Sequence, residues 1–158
     1  MKQYIKTNEF GTKRYYVNNK LHREDGPSIE YADGSKAWYK NGELHREDGP
    51  AIEYATGDKY WYKNGLYHRE DGPAIEYANG DKAWYKNGKR HREDGPAVEC
   101  ANGTKMWYKN AESHREDGLA IEYIDDWGFY YLNDQCYGRE YDFTNKSWER
   151  FVKTIMFL

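Results

Sequence analysis

The sequence predicts an all-β chain: an elongated, single-sheet β-hairpin repeat solenoid of about five to six 23-residue units, closed by a short C-terminal capping α-helix. Three observations predict it. His-Arg-Glu-Asp-Gly-Pro recurs at His22–Pro27, His45–Pro50, His68–Pro73 and His91–Pro96, and His114–Leu119 keeps all but the proline, always 23 residues apart. A fixed period in the range of 20–50 residues is the mark of a stacked repeat. Two-residue Asn-Gly and Asp-Gly signals punctuate each unit, as tight hairpins require. After the last copy the pattern changes to an apolar residue every third or fourth position, the mark of an amphipathic helix. The domain reading is therefore a repeat array over residues 1–140 and a capping helix over 141–158.

Each element follows from local chemistry. Residues Gly11–His22 align with Gly34–His45, with Tyr15 in the place of Trp38 and Asn19 in that of Gly42. Four stronger copies follow, with Trp38, Trp61, Trp84 and Trp107 in register; a weaker sixth unit carries Tyr130 in the Trp place, Tyr137 in the His place and Asn133-Asp134 as the turn. Terminal repeats have one neighbour only and drift from the pattern. Within a unit, Ser28–Ala32 alternates as a strand. Asp33-Gly34 reads as a two-residue type I′ turn, Lys36–Lys40 as a second strand, Asn41-Gly42 as another I′ turn and Leu44–Glu47 as a short third strand. Pro50 belongs at a strand start or edge, since it donates no hydrogen bond.

Two-residue turns throughout would set Ile29 opposite Trp38 and Trp38 opposite His45, with Tyr31 on the same face. Glu30, Ala37, Tyr39 and Arg46 would take the other face, where Glu30 and Arg46 could meet over Ala37. A longer first loop would shift a strand and undo this assignment. At the C-terminus Thr144 or Asp142 can cap a helix, and Trp148, Phe151, Val152, Ile155 and Met156 form its apolar face.

The composition excludes several function classes. Net charge is −3 with a pI near 6.0, so no basic field points to nucleic acid. No apolar run is long enough to span a bilayer and no leader-like segment opens the chain. Cys100 and Cys136 make neither a disulfide framework nor a metal spacing. The expectation is a soluble protein of a reducing compartment, cytoplasmic, or in the host cytoplasm if viral.

The repetition of His-Arg-Glu-Asp argues against an acid–base site, because catalysis needs one constellation held by unique neighbours. The histidines His22, His45, His68, His91 and His114 read with the four tryptophans as a structural ladder. Equivalent histidines should lie about 10 Å or more apart, with two strands per repeat. Neighbours cannot then share a metal, whose ligands sit at about 2 Å. The reading is no catalytic residues, no metal and no cofactor. Tyr39, Tyr62, Tyr85 and Tyr108, with Arg46, Arg69, Arg92 and Arg115, are the candidate partner-binding residues, because Tyr and Arg dominate binding hot spots. Alternatively these rings and guanidinia only stack on one another as a solvated face.

The 23-residue period, the aromatic-Tyr strand and the Asn-Gly turn resemble the membrane occupation and recognition nexus repeat (MORN). His-Arg-Glu-Asp-Gly-Pro-Ala with Trp-Tyr-x-Asn-Gly is similar to the variant seen in proteins of tailed phages and giant viruses. The resemblance covers roughly residues 10–140 and departs from the Tyr-x-Gly-x-Trp pattern of the wider family. It implies a β-hairpin solenoid with scaffold or binding roles, and a phage protein that binds, and could inhibit, a host factor such as a defence-system component. Three other readings stay open. One is a binder of a small ligand such as a nucleotide, and one is a structural virion or antitoxin-like interaction protein. The third is an enzyme built on Asp125-Asp126, Asp134, Cys136 and Glu140. The expected partner is a host or viral protein, with no nucleic acid, and the repeat ends and the C-terminal helix are the candidate surfaces for self-association.

Overall fold

A computed structural model describes residues 2–125 and 127–156; Asp126, one of the acidic residues considered above, and Phe157 and Leu158 of the helix segment lie outside the described residues. The chain divides into two compact units, residues 1–80 and 81–158. Both consist of β-hairpins that recur with the 23-residue period and pair antiparallel; the second ends in a helix.

In the first unit the strands Gln3–Thr7, Lys13–Val17, Ile29–Glu30, Lys36–Ala37, Ile52–Glu53, Lys59–Tyr60 and Ile75–Glu76 lie side by side in chain order. Two small hairpins stand off that sheet, Tyr39–Lys40 with Glu43–Leu44 and Tyr62–Lys63 with Leu66–Tyr67. The second unit repeats the scheme with Lys82–Ala83, Val98–Glu99, Lys105–Met106, Ile121–Glu122, Gly128–Leu132 and Gln135–Arg139. Its small hairpins are Tyr85–Lys86 with Lys89–Arg90 and Tyr108–Lys109 with Glu112–Ser113.

The strands are shorter than the alternation suggested, and the reason lies at the tryptophan. The Trp38 N–H donates to the Ala51 carbonyl at 2.8 Å, whereas the Tyr39 N–H donates to the Ser28 hydroxyl at 3.0 Å. The chain thus leaves the main sheet at Trp38 and enters the small hairpin. Leu44–Glu47 is a strand only over Glu43–Leu44. The next residues form a loop.

The Asn-Gly turns are as expected: Asn41 and Gly42 have φ of 56° and 92°, Asn64 and Gly65 of 51° and 75°. Both central residues of a I′ turn are left-handed, which Asn and Gly tolerate best. Asp33-Gly34 is different. Only Gly34 has positive φ, the Tyr31 N–H donates to the Ser35 carbonyl at 2.9 Å, and Ala32-Asp33-Gly34 make a three-residue loop. The extra residue shifts the register to Ile29↔Ala37 and Glu30↔Lys36. Because side chains alternate with period two, one residue of slip moves a set to the other face. Ile29, Ala37, Tyr31 and Tyr39 therefore share one face, and Glu30, Trp38 and His45 the other. The proposed Glu30–Arg46 contact is replaced by Arg23–Glu30 and Arg46–Glu53.

Small residues fill the interior of each unit: Ser28, Ala51 and Ala74 are fully buried in the first, next to Ile29 and Ile75, and Ala97 and Ala120 in the second. The second unit adds a conventional core in which Tyr130, Leu132, Trp148 and Val152 are buried against Leu119, Tyr137, Phe143, Phe151 and Ile155. The helix, Asn145–Met156, is capped by Thr144 and not by Asp142: the Ser147 N–H donates to Thr144 Oγ1 and the Thr144 N–H to Ser147 Oγ. Trp148 anchors it by donating from Nε1 to the Arg115 carbonyl at 3.1 Å.

Candidate functional site

The recurring His-Arg-Glu-Asp-Gly-Pro loop carries a repeated network of hydrogen bonds and ion pairs. Arg46 illustrates the pattern. Its Nε–H donates to Asp48 Oδ1 at 2.9 Å, and Nη1 donates to the Pro50 carbonyl at 3.2 Å and to Glu53 Oε1 at 2.9 Å. Its guanidinium lies 4.0 Å from the centroid of Trp38. Arg69, Arg92 and Arg115 repeat the stack on Trp61, Trp84 and Trp107 at 4.1, 4.1 and 3.9 Å, and Arg23 does so on Tyr15 at 4.0 Å. Such planar cation–π contacts suit Arg and not Lys. The glycine of the loop makes room for it, since a Cβ on Gly49 would come within 3.0 Å of Arg46 Cζ. The same bonds hold the carboxyls of Asp25, Asp48, Asp71 and Asp94 below the ordinary aspartate range, first through the arginine hydrogen bond and then through its charge.

The histidine links one repeat to the next. The Nδ1 atoms of His22, His45 and His91 accept the backbone N–H of Asn41, Asn64 and Asn110, 19 residues on, at 3.1–3.2 Å. The Nε2 atoms of the same rings face Glu24, Glu47 and Glu93 at 3.6, 3.4 and 3.5 Å. The second residue of each turn is held as well. Gly42 and Gly65 donate to the Leu21 and Leu44 carbonyls at 2.9 Å, and Ala111 donates to that of Arg90 at 2.8 Å. On the loop side, Ser35 Oγ accepts the Ala55 N–H at 2.9 Å and Asp58 Oδ1 that of Ala78 at 2.7 Å. Within each unit, both the Asn-Gly-type turn and the opposite loop are thus bonded to a neighbouring repeat.

The sequence placed Tyr39, Tyr62, Tyr85 and Tyr108 together with Arg46, Arg69, Arg92 and Arg115; in the structure their rings and guanidinia do not stack on one another, although Tyr39 and Arg46, and Tyr108 with Arg92 and Arg115, line the same clefts. The arginines lie on the tryptophans, in contact that leaves no gap for a further ring. The tyrosines lie on the isoleucine face, half-buried. Burial pushes the Tyr39 hydroxyl up, with Tyr31 and Tyr54 beside it, and pushes the Tyr62 hydroxyl up more strongly, with Tyr67 beside it. Sequence reasoning missed a second row there. Tyr31, Tyr54 and Tyr77 are 38%, 45% and 42% exposed, and Tyr60 packs edge-on between Tyr54 and Tyr77 at 5.5 and 5.8 Å. The 23-residue spacing of Tyr31, Tyr54 and Tyr77 was the available signal.

Between successive loops run shallow clefts. One of about 570 Å³ is lined by Trp38, Tyr39, Lys40 and His45 and rimmed by Glu24 and Glu47. The rim carboxylates are well exposed, Glu47 by 78% and Asp48 by 85%. The unrepeated residues do not converge. Asp134 Oδ1 accepts the Ser113 N–H, Glu140 Oε2 accepts the Gly128 N–H, and Cys136 is exposed on the last strand. Among the described residues no group of three or more His, Cys, Asp or Glu is placed to hold a metal ion, and no helix is long and apolar enough to cross a membrane. No protein-family model matches the chain, and no curated protein matches it.

Proposed function

We propose that this chain is a non-enzymatic binding module that engages a protein partner through its tyrosine-bearing face. The observation that carries the reading is the use of the repeated motif. Its arginine, aspartate and histidine are spent on contacts within and between repeats, so the motif is scaffold. What the scaffold presents at each period in the first unit is a half-exposed phenol: Tyr31, Tyr54 and Tyr77 over Tyr39, Tyr60 and Tyr62. Tyrosine combines a large apolar ring with a hydrogen-bonding tip, the combination favoured at protein interfaces. The resemblance to repeats of tailed phages and giant viruses supports a host protein as that partner, with inhibition of a defence component as one consequence of binding.

The test is affinity capture from host lysate, followed by binding measurements with the purified partner. Tyr54→Ser with Tyr77→Ser should abolish binding while the thermal midpoint stays within a few degrees. Glu47→Gln with Glu70→Gln, on the acidic rim, should leave it intact. Loss with the glutamate pair and retention with the tyrosine pair would refute the assignment of the face.

A further inference from the structure

We propose that the first strand, Gln3–Thr7, is a self-association edge at which two copies of this chain pair antiparallel about Ile5. The strand pairs with Lys13–Val17 in the register Gln3↔Val17 to Thr7↔Lys13. The Asn18 N–H donates to the Lys2 carbonyl at 3.0 Å and the Asn8 N–H to the Thr12 carbonyl at 3.1 Å. Bonded pairs alternate along an antiparallel ladder. The even residues Tyr4 and Lys6 therefore bond inward, and the N–H and C=O groups of Gln3, Ile5 and Thr7 point out of the sheet. Ile5 is itself 59% exposed. An edge of this kind is a template for another strand unless it is bent, short or guarded by a charge, and the one charge inside this strand, Lys6, lies against the Tyr4 and Tyr16 rings.

The strand's own sequence selects the occupant and the register. Centred on Ile5, the outward groups of Gln3, Ile5 and Thr7 meet those of Thr7, Ile5 and Gln3 in the second copy. Lys6 then falls opposite Tyr4, and Lys2 opposite Asn8. Lys6 already lies 5.6 and 5.4 Å from the Tyr4 and Tyr16 rings, so the pairing sets a cation against an aromatic pair stacked at 5.0 Å. Moving the centre by one residue either way sets Lys2 opposite Lys6, or Lys6 opposite Lys6, and like charges directly opposed disfavour a pair. The last strand, Gln135–Arg139, is a poorer template. It carries a bulge and Gly138 at φ 151°, and its Arg139 N–H is taken by Asp142 Oδ2 at 2.7 Å. The interface is a single strand edge, well below the area of a permanent dimer, so association should be reversible and concentration-dependent.

Sedimentation velocity over a range of protein concentrations tests this. The wild type should move from 18.8 kDa toward twice that mass as concentration rises. Ile5→Pro removes an outward N–H and no inward bond, which an edge strand tolerates; it should stay monomeric with an unchanged thermal midpoint. In a Cys100→Ala, Cys136→Ser background, Ile5→Cys should cross-link to a disulfide dimer on mild oxidation. A bonded antiparallel pair sets the two Cα atoms about 5.5 Å apart, within disulfide reach. Lys6→Cys should not cross-link. A wild type that stays monomeric into the millimolar range, an Ile5→Pro dimer, or equal cross-linking through Lys6→Cys would overturn the proposal.

Discussion

Arg69→Ala separates a scaffold arginine from a displayed one. Arg69 Nε donates to Asp71 at 2.9 Å, Nη1 to the Pro73 carbonyl at 3.2 Å and to Glu76 at 2.9 Å, and the guanidinium covers Trp61 at 4.1 Å. Asp71 is 84% exposed, so its ion pair contributes close to nothing after screening. Glu76 is 34% exposed and the Arg69 side chain 22%. Their bond, the carbonyl bond and the ring stack contribute roughly 1 kcal/mol each. The substitution should therefore cost about 3 kcal/mol. For a chain of this length that lowers the thermal midpoint by roughly 6–12 °C. Arg69→Lys keeps a charge near Glu76 but cannot lie flat on Trp61 while donating to three acceptors, so it should lose about 2 kcal/mol. Urea denaturation followed by tryptophan fluorescence and circular dichroism reads both. Arg69→Ala within about 0.5 kcal/mol of the wild type, or Arg69→Lys fully equivalent to it, would refute the reasoning and return the arginine to the displayed surface.

Four other outcomes follow from the same geometry. His45→Ala leaves the Asn64 N–H without its 3.2 Å acceptor and should cost about 2 kcal/mol, with faster hydrogen exchange at the Asn64 amide as the specific readout. Ala111→Gly should stabilise by about 1 kcal/mol, because Ala111 sits at φ 79° where Gly42 and Gly65 serve in other copies; an unchanged or lower thermal midpoint would count against it. Trp148→Ala should remove about 3–5 kcal/mol from the second unit, since that ring is fully buried and holds the helix to Arg115, and the helical signal should fall with it. Arginine partners hold the carboxyls of Asp25, Asp48, Asp71 and Asp94, and of Glu30, lower in the folded state than in the unfolded, but the aspartates are so exposed that screening leaves weight only to pairs like that of Glu30, which is 34% exposed. Their stabilisation is fully present above the unfolded values, near pH 4, and is lost as pH falls through the folded ones. The urea midpoint should therefore be insensitive to these groups between pH 5 and 7, on the carboxylate scale, and fall in acid; a rise in acid would contradict the assignment.

The repeat, its period and its class are written in the residues alone. A copied Asn-Gly can only be a copied left-handed turn, and Asn41 and Asn64 adopt it in the structure. The i, i+3, i+4 spacing from Trp148 to Ile155 can bury one side only as a helix, and it does. The faces of the sheet were decided by tertiary structure alone. Ala32-Asp33-Gly34 form a loop of three residues, not two, and Ser35 beyond it reaches the Ala55 N–H of the next loop. One residue of slip there carries Trp38 away from Ile29 and beneath Arg46. Local pattern is blind to this, because alternation fixes which residues lie together on a strand but not which strand they meet. That choice is made by hydrogen bonds 19 and 20 residues long, His45 to Asn64 and Ser35 to Ala55, which exist only once the neighbouring repeat is in place.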